Sequence, residues 1–261
     1  MMNNERFMGF ADTYEQTRPT LPKHAIELIK NYLTFPLDTV VDLGCGTGLS
    51  TLSWKGETER IIGIEPSIDM LSIAKQKESK NITFLEGYST SIPLEDESVD
   101  VVICSQSFHW MEPFATLKEV NRILKPGGVF AALDYDWPGV VDYQAEKAIY
   151  EIRAFVRSIE SVDTKEAHGY PKNQHIPNMN ATGYFDYTRE IVFSNQEICT
   201  PERLINMIGS ISSFQREAKR QPEVFNPEFE KFTRRIHEIY HEPFIIEFGY
   251  RLRIGVKRKQ Q

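Results

Sequence analysis

Residues 40–48 read Val40-Val41-Asp42-Leu43-Gly44-Cys45-Gly46-Thr47-Gly48, a β-branched run that enters three glycines at alternate positions. Val40 and Val41 favour a buried strand. Glycines spaced so closely call for a tight turn in which the backbone approaches a ligand. Asp42 stands just before them. A second acid, Glu65, ends the next apolar run, Ile61-Ile62-Gly63-Ile64, and a separation of about 20 residues from the first glycine is what a strand–helix–strand unit needs to bring a carboxylate to a ribose diol. The segment therefore predicts a nucleoside-containing ligand.

The glycine pattern narrows the choice. A dinucleotide turn reads G-x-G-x-x-G and faces a pyrophosphate. Here it reads G-x-G-x-G, and Asp42 would repel a pyrophosphate while it could face an ammonium group. S-adenosylmethionine carries an α-amino group, a sulfonium and a ribose, and no phosphate. The stretch from Asp42 to Gly48 resembles motif I of the class I S-adenosylmethionine-dependent methyltransferases. Four further blocks carry the resemblance in order: Tyr14 with Arg18-Pro19, Ile64-Glu65-Pro66-Ser67 with Met70, Gln106-Ser107-Phe108-His109-Trp110, and Leu124-Lys125-Pro126-Gly127-Gly128. It covers residues 7–136 well and weakens beyond them. Thr200-Pro201-Glu202 and the step Phe108-His109-Trp110 are similar to the branch that includes trans-aconitate methyltransferase.

The elements follow from periodicity. Strands are expected at 39–43, 60–64, 82–86, 99–104, 129–134 and 187–193, with a last antiparallel strand over 244–256. Helices are expected at 22–33, from Leu49, from Ile68, at 114–124, at 143–159 and, as two helices, at about 200–219 and 227–240. Alternation with short connections implies an α/β fold, Rossmann-like and doubly wound, whose mostly parallel seven-stranded sheet ends in that antiparallel strand under a helical cap. Residues 1–137 form the cofactor-binding core, 138–186 a helical and irregular cap insertion, and 187–261 the final strands with two inserted cap helices. Gly169, Pro171, Pro177, Gly183 and several asparagines mark 162–186 as an irregular segment, mobile without substrate, that orders over the site when it is filled.

By the resemblance, Asp42, Gly44, Cys45 and Gly46 line the methionine end of the cofactor, Glu65 holds the ribose hydroxyls, and Pro66 and Met70 cover the adenine. Tyr14, Arg18, Ser105 and Gln106 complete the cofactor set. The family usually carries Gly-Asp-Ala after strand 3; this chain has Gly87-Tyr88-Ser89, so the adenine amino group meets Ser89, a backbone carbonyl or the Tyr88 ring. Methyl transfer from a sulfonium needs positioning and exclusion of water, and a base only if the nucleophile arrives protonated. His109 is the candidate base, with packing or a cofactor contact as its alternative. His109, Trp110, Tyr135 and Trp137 are the candidate substrate residues. Arg18 could pair with the methionine carboxylate or with an acidic substrate.

Composition bounds the partners. A net charge of −7 disfavours nucleic acid, and Lys257-Arg258-Lys259 reads as a solvated tail. Cys45, Cys104 and Cys199 have no disulfide or metal spacing, and His168, Tyr170 and His175 do not complete a metal set. With no signal peptide and no apolar run of membrane-spanning length, the chain reads as a cytoplasmic monomer or homodimer, without membrane or metal. The sequence thus predicts a small-molecule methyltransferase acting at O, N or C. A non-catalytic binder of S-adenosylmethionine or its demethylated product, and a protein or RNA methyltransferase, are the alternatives.

Overall fold

The structure, a computed structural model, describes residues 18–160 and 169–259. In chain order the elements are α1 (Lys23–Lys30), β1 (Thr39–Leu43), α2 (Leu49–Leu52), β2 (Arg60–Glu65), α3 (Ile68–Lys75), β3 (Ile82–Glu86), β4 (Val99–Ser105), α4 (Pro113–Ile123), β5 (Leu124–Tyr135), α5 (Tyr143–Ile159), α6 (His175–Thr182), β6 (Phe185–Cys199), α7 (Pro201–Gly209), α8 (Ser212–Arg220), α9 (Pro222–Ile239) and β7 (Phe244–Lys257). The strands form a seven-stranded sheet in the order β3-β2-β1-β4-β5-β7-β6. β1 to β5 run parallel, and β7 runs antiparallel to both β5 and β6. This is the expected architecture.

Every residue of β1 is buried, as a central strand covered on both faces requires. Successive side chains serve opposite layers. Val40, Val101, Ile103, Val129 and Leu133 pack with α1, α3, α5 and α7 to α9. Val41, Leu43, Ile62, Val102 and Phe130 pack with α4 and α6. Leu124 already pairs with Val99, and the partner then jumps to Val129 opposite Val101, so Lys125-Pro126-Gly127-Gly128 forms a bulge inside β5.

Two expectations change. The helix read over 200–219 is two, α7 and α8, because the chain breaks at Gly209-Ser210-Ile211 where Phe229 of α9 packs: a side chain at Gly209 would meet its ring at 3.0 Å. The described part of 162–186 is ordered. A 3-10 turn at Lys172–Gln174 leads into α6, whose His175 and Met179, one turn apart, are buried against the sheet. α5 and α6 bury their apolar stripes on opposite faces of the sheet, and no described residue beyond Tyr135 lines the cleft described below. No described helix is long and apolar enough to cross a membrane.

Candidate active site

A cleft of about 400 Å³ opens at the carboxyl ends of β1 to β5, where ligands bind in open α/β sheets. Its floor is the glycine turn. Gly44 and Cys45 both donate their N–H to the Ile64 carbonyl, at 2.8 and 3.1 Å, which pins the turn to the end of β2. Gly44 has φ +70°, and a Cβ there would sit 2.7 Å from Met111 Cε. Gly46 has φ +57° and would meet nothing within 4 Å, so its bare backbone faces open space in the cleft wall.

Glu65 closes the turn from the other side. Its Oε2 accepts from the Gly46 N–H and its Oε1 from the Ser67 N–H, each at 2.9 Å. Burial raises its pKa against those two bonds. Pro66, Met70, Gly87, Tyr88 and Ser89 continue the wall towards β3, and Ser89 Oγ accepts from Thr116 Oγ1 at 2.8 Å. On the β4–β5 side the wall is made by Arg18, Ser105, Gln106, Trp110 and Tyr135. Arg18 donates to the Tyr135 hydroxyl at 3.2 Å and lies 5.0 Å over the Trp137 ring.

Fourteen of the sequence-predicted positions therefore meet in one cleft: Arg18, Gly44, Cys45, Gly46, Glu65, Pro66, Met70, Gly87, Tyr88, Ser89, Ser105, Gln106, Trp110 and Tyr135. Tyr14 lies outside the described residues. Asp42 does not line the cleft. It is fully buried beneath the turn, where its Oδ2 accepts from Ser50 Oγ and Thr51 Oγ1, both at 2.7 Å. Burial pushes its carboxyl up to about 6. Its Oδ1 has no hydrogen-bond partner among the described residues.

His109 is turned away from the cleft. Its Nδ1 stands 3.4 Å from Asp134 Oδ1, its ring leans on Trp110, and burial lowers its pKa against the opposing pull of Asp134. Trp137 carries the Arg18 guanidinium on its ring and does not line this cleft. Burial pushes the Cys45 thiol up from its usual range. Among the described residues no group of three metal-ligating side chains gathers.

Sequence reading missed several lining residues, Thr47, Thr90, Ser107, Met111 and Glu112 among them. Ser107 donates to the Leu43 carbonyl at 2.6 Å and so binds the β4 loop to the turn. Its serine and Met111 give no periodic signal. Glu112 before Pro113 is legible as an N-cap, which it is: its carboxylate accepts from the N–H groups of Phe114 and Ala115.

The residues present fit S-adenosylmethionine. The cleft volume falls within the usual 300–1,000 Å³ of ligand sites. Gly46 exposes backbone where a side chain would intrude, and the buried, unpartnered Asp42 Oδ1 leaves anionic capacity under the turn. Residues 41–132 match the family described as a methyltransferase domain. An uncharacterized methyltransferase of Schizosaccharomyces pombe is 36% identical over 122 residues, 46% of this chain and 48% of the relative. The "Probable S-adenosylmethionine-dependent methyltransferase CRG1" of Saccharomyces cerevisiae is 32% identical over 143 residues, 52% of this chain and 49% of the relative. The match thus spans about half the length of these curated relatives. A solved structure of a provisionally assigned type II methyltransferase from Anaeromyxobacter dehalogenans superposes with TM-score 0.73 at 19% identity, over 93% of this chain and 99% of that one, a likeness of fold. These matches do not single out the branch of trans-aconitate methyltransferase. Residues 41–132 thus carry a methyltransferase domain, and the sheet order and glycine turn around them are similar to those of the class I S-adenosylmethionine-dependent methyltransferases, whose cofactor is S-adenosylmethionine.

Proposed function

We propose that this protein transfers the methyl group of S-adenosylmethionine to a small-molecule acceptor at O, N or C. The observation that carries the reading is the Glu65 carboxylate, fixed inside the cleft by the N–H groups of Gly46 and Ser67. A carboxylate so held keeps lone pairs for a vicinal diol. When bound, the cofactor supplies a methyl group made electrophilic by its sulfonium. The chain's own residues then have three tasks. Glu65 holds the ribose, Pro66 and Met70 give the adenine an apolar bed, and Gly44, Cys45 and Gly46 let backbone approach the methionine end. Trp110 and Tyr135 shape the acceptor side and exclude water, which holds the reacting atoms in line. The reading needs no base, and His109, behind the wall, is not given that role. A cleft of about 400 Å³ and a net charge of −7 favour a small acceptor over protein or RNA.

Glu65 tests the reading. A charged hydrogen bond contributes about 1.5–3 kcal/mol, so Glu65→Gln should weaken S-adenosylhomocysteine about tenfold or more. Glu65→Ala should also lower stability, because two backbone N–H groups lose their acceptor. Calorimetry showing unchanged affinity in a folded Glu65→Gln chain would refute the site, as would equal thermal stabilisation by NAD. A metabolite-library screen with labelled methyl donor separates catalysis from mere cofactor binding.

A further inference from the structure

The β4–β5 wall is tied to buried charges that the cofactor reading leaves unused. Gln106, the first residue after β4, lines the cleft with a left-handed backbone, φ +57°. That conformation costs a non-glycine residue about 1–2 kcal/mol and persists only where the surroundings fix it. Three bonds fix it. The main-chain N–H donates to the Leu133 carbonyl at 2.8 Å, side-chain Nε2 donates to the Tyr135 carbonyl at 3.3 Å, and Oε1 accepts from Lys172 Nζ at 2.9 Å. Lys172 Nζ is also 2.8 Å from Asp134 Oδ1. Asp134 Oδ2 is held by Arg253 at 2.6 Å, and Arg253 continues to Glu190 at 2.7 Å. A chain of charge therefore runs from β6 to the cleft and ends on one amide.

The amide chemistry gives this a consequence. A primary amide offers one acceptor oxygen and two N–H donors. Here the oxygen is taken by a cation and one N–H by a carbonyl. A flip would set NH₂ against the Lys172 ammonium and oxygen against the Tyr135 oxygen. What Gln106 has left to give a ligand is its second N–H. We propose that Lys172 is a positioning residue that fixes Gln106 as a hydrogen-bond donor on the acceptor side of the cleft, so that this site selects methyl acceptors presenting a hydrogen-bond-accepting oxygen, such as a carbonyl, carboxylate, enolate or phenolate, over ones presenting an amine. The inference rests on the methyltransferase reading, and it moves Gln106 from the cofactor to the acceptor.

The test uses the full chain as wild type, Lys172→Met, Lys172→Arg and Gln106→Leu. Affinity for S-adenosylhomocysteine is measured by calorimetry and folding by thermal melts. Initial rates are then taken with labelled donor over paired panels of small carboxylic acids and phenols against their amine counterparts. The wild type should favour the first panel. Lys172→Met and Gln106→Leu should each raise the acceptor KM about tenfold, the loss of one well-placed hydrogen bond, while kcat and S-adenosylhomocysteine affinity hold within about twofold. Lys172→Arg should recover most of the loss. An unchanged acceptor KM, a parallel loss of S-adenosylhomocysteine affinity, or a wild-type preference for the amine panel would overturn the proposal. If the wild type methylates neither panel nor any member of the metabolite library, the methyltransferase reading fails, and hydrogen exchange of the Gln106 side-chain amide by NMR still decides the positioning. It should be slow in wild type and fast in Lys172→Met, and equal exchange in both would overturn it.

Discussion

The two walls of the cleft are built differently. The β2–β3 wall comes from one short stretch, Glu65 to Ser89, and is held by backbone groups: the N–H of Gly46 and of Ser67 on one carboxylate. The β4–β5 wall draws Arg18, Gln106 and Tyr135 from distant parts of the chain and is held by side chains, with Lys172, Asp134 and Arg253 behind it. The first is rigid because main chain makes it. The second depends on one buried carboxylate satisfying several cations at once. A wall of the first kind suits the invariant part of a shared cofactor, and one of the second kind can be changed residue by residue to suit an acceptor.

The sharpest way to break this comparison is to remove that carboxylate. Asp134 and Arg253 are each nearly fully buried. Burial alone would raise the Asp134 carboxyl, but His109, His175 and Lys172 together hold it well below the usual carboxylate range. A buried pair broken on one side costs about 3–5 kcal/mol, so Asp134→Asn should lower urea stability by that order. S-adenosylhomocysteine affinity should change little, because the β2–β3 wall is untouched. The folded pKa lies below the unfolded one, so this stability is present above the usual value of 3.8 and is lost as pH falls further. A wild-type-like urea midpoint in Asp134→Asn would show that the wall does not depend on its charges.

The same contrast explains what the sequence could say. The turn from Gly44 to Gly48, Glu65, and α5 at 143–159 were legible because each is dictated within a few residues. The ordering of 172–182 was not. Its proline and asparagines argue for loop, and only Met179 and His175 finding the sheet makes α6 stable. The direction of His109 was hidden for a like reason. It follows β4 at the expected place, but Asp134, twenty-five positions later in sequence, draws its ring behind the wall. Arg253 and Lys172 carry no motif, so nothing local marked them as parts of a site.

Asp42 sharpens the comparison from beneath the turn. Its carboxyl, pushed up to about 6 by burial, is stabler protonated in the fold, so its contribution to stability is full below the usual 3.8 and lost as pH rises through about 6. A ligand ammonium prefers the ionised form. Affinity for S-adenosylhomocysteine should therefore rise about tenfold between pH 5 and pH 7, the ratio of ionised fractions for such a pKa. Asp42→Asn should flatten most of that dependence, and what is left belongs to Glu65, whose pKa burial also raises. A flat wild-type profile would make Asp42 only the cap of Ser50 and Thr51.

The smallest effect is expected at the far end of the β2–β3 wall. Tyr88 stands where the family usually has an aspartate, lines the cleft and is 48% exposed. It has no carboxylate to accept from an adenine amino group, but its ring offers a stacking face. Such a contact contributes about 0.5–1.5 kcal/mol beyond area, and half-exposure favours the lower end. Tyr88→Ala should weaken S-adenosylhomocysteine about threefold without moving the melting temperature, since little of the ring is packed in the core. Tyr88→Phe should bind as wild type, because the ring and not the hydroxyl supplies the contact. A loss in Tyr88→Phe equal to that in Tyr88→Ala would show instead that the hydroxyl had taken over the missing carboxylate's hydrogen bond, and this wall would then depend on a side chain as its opposite does.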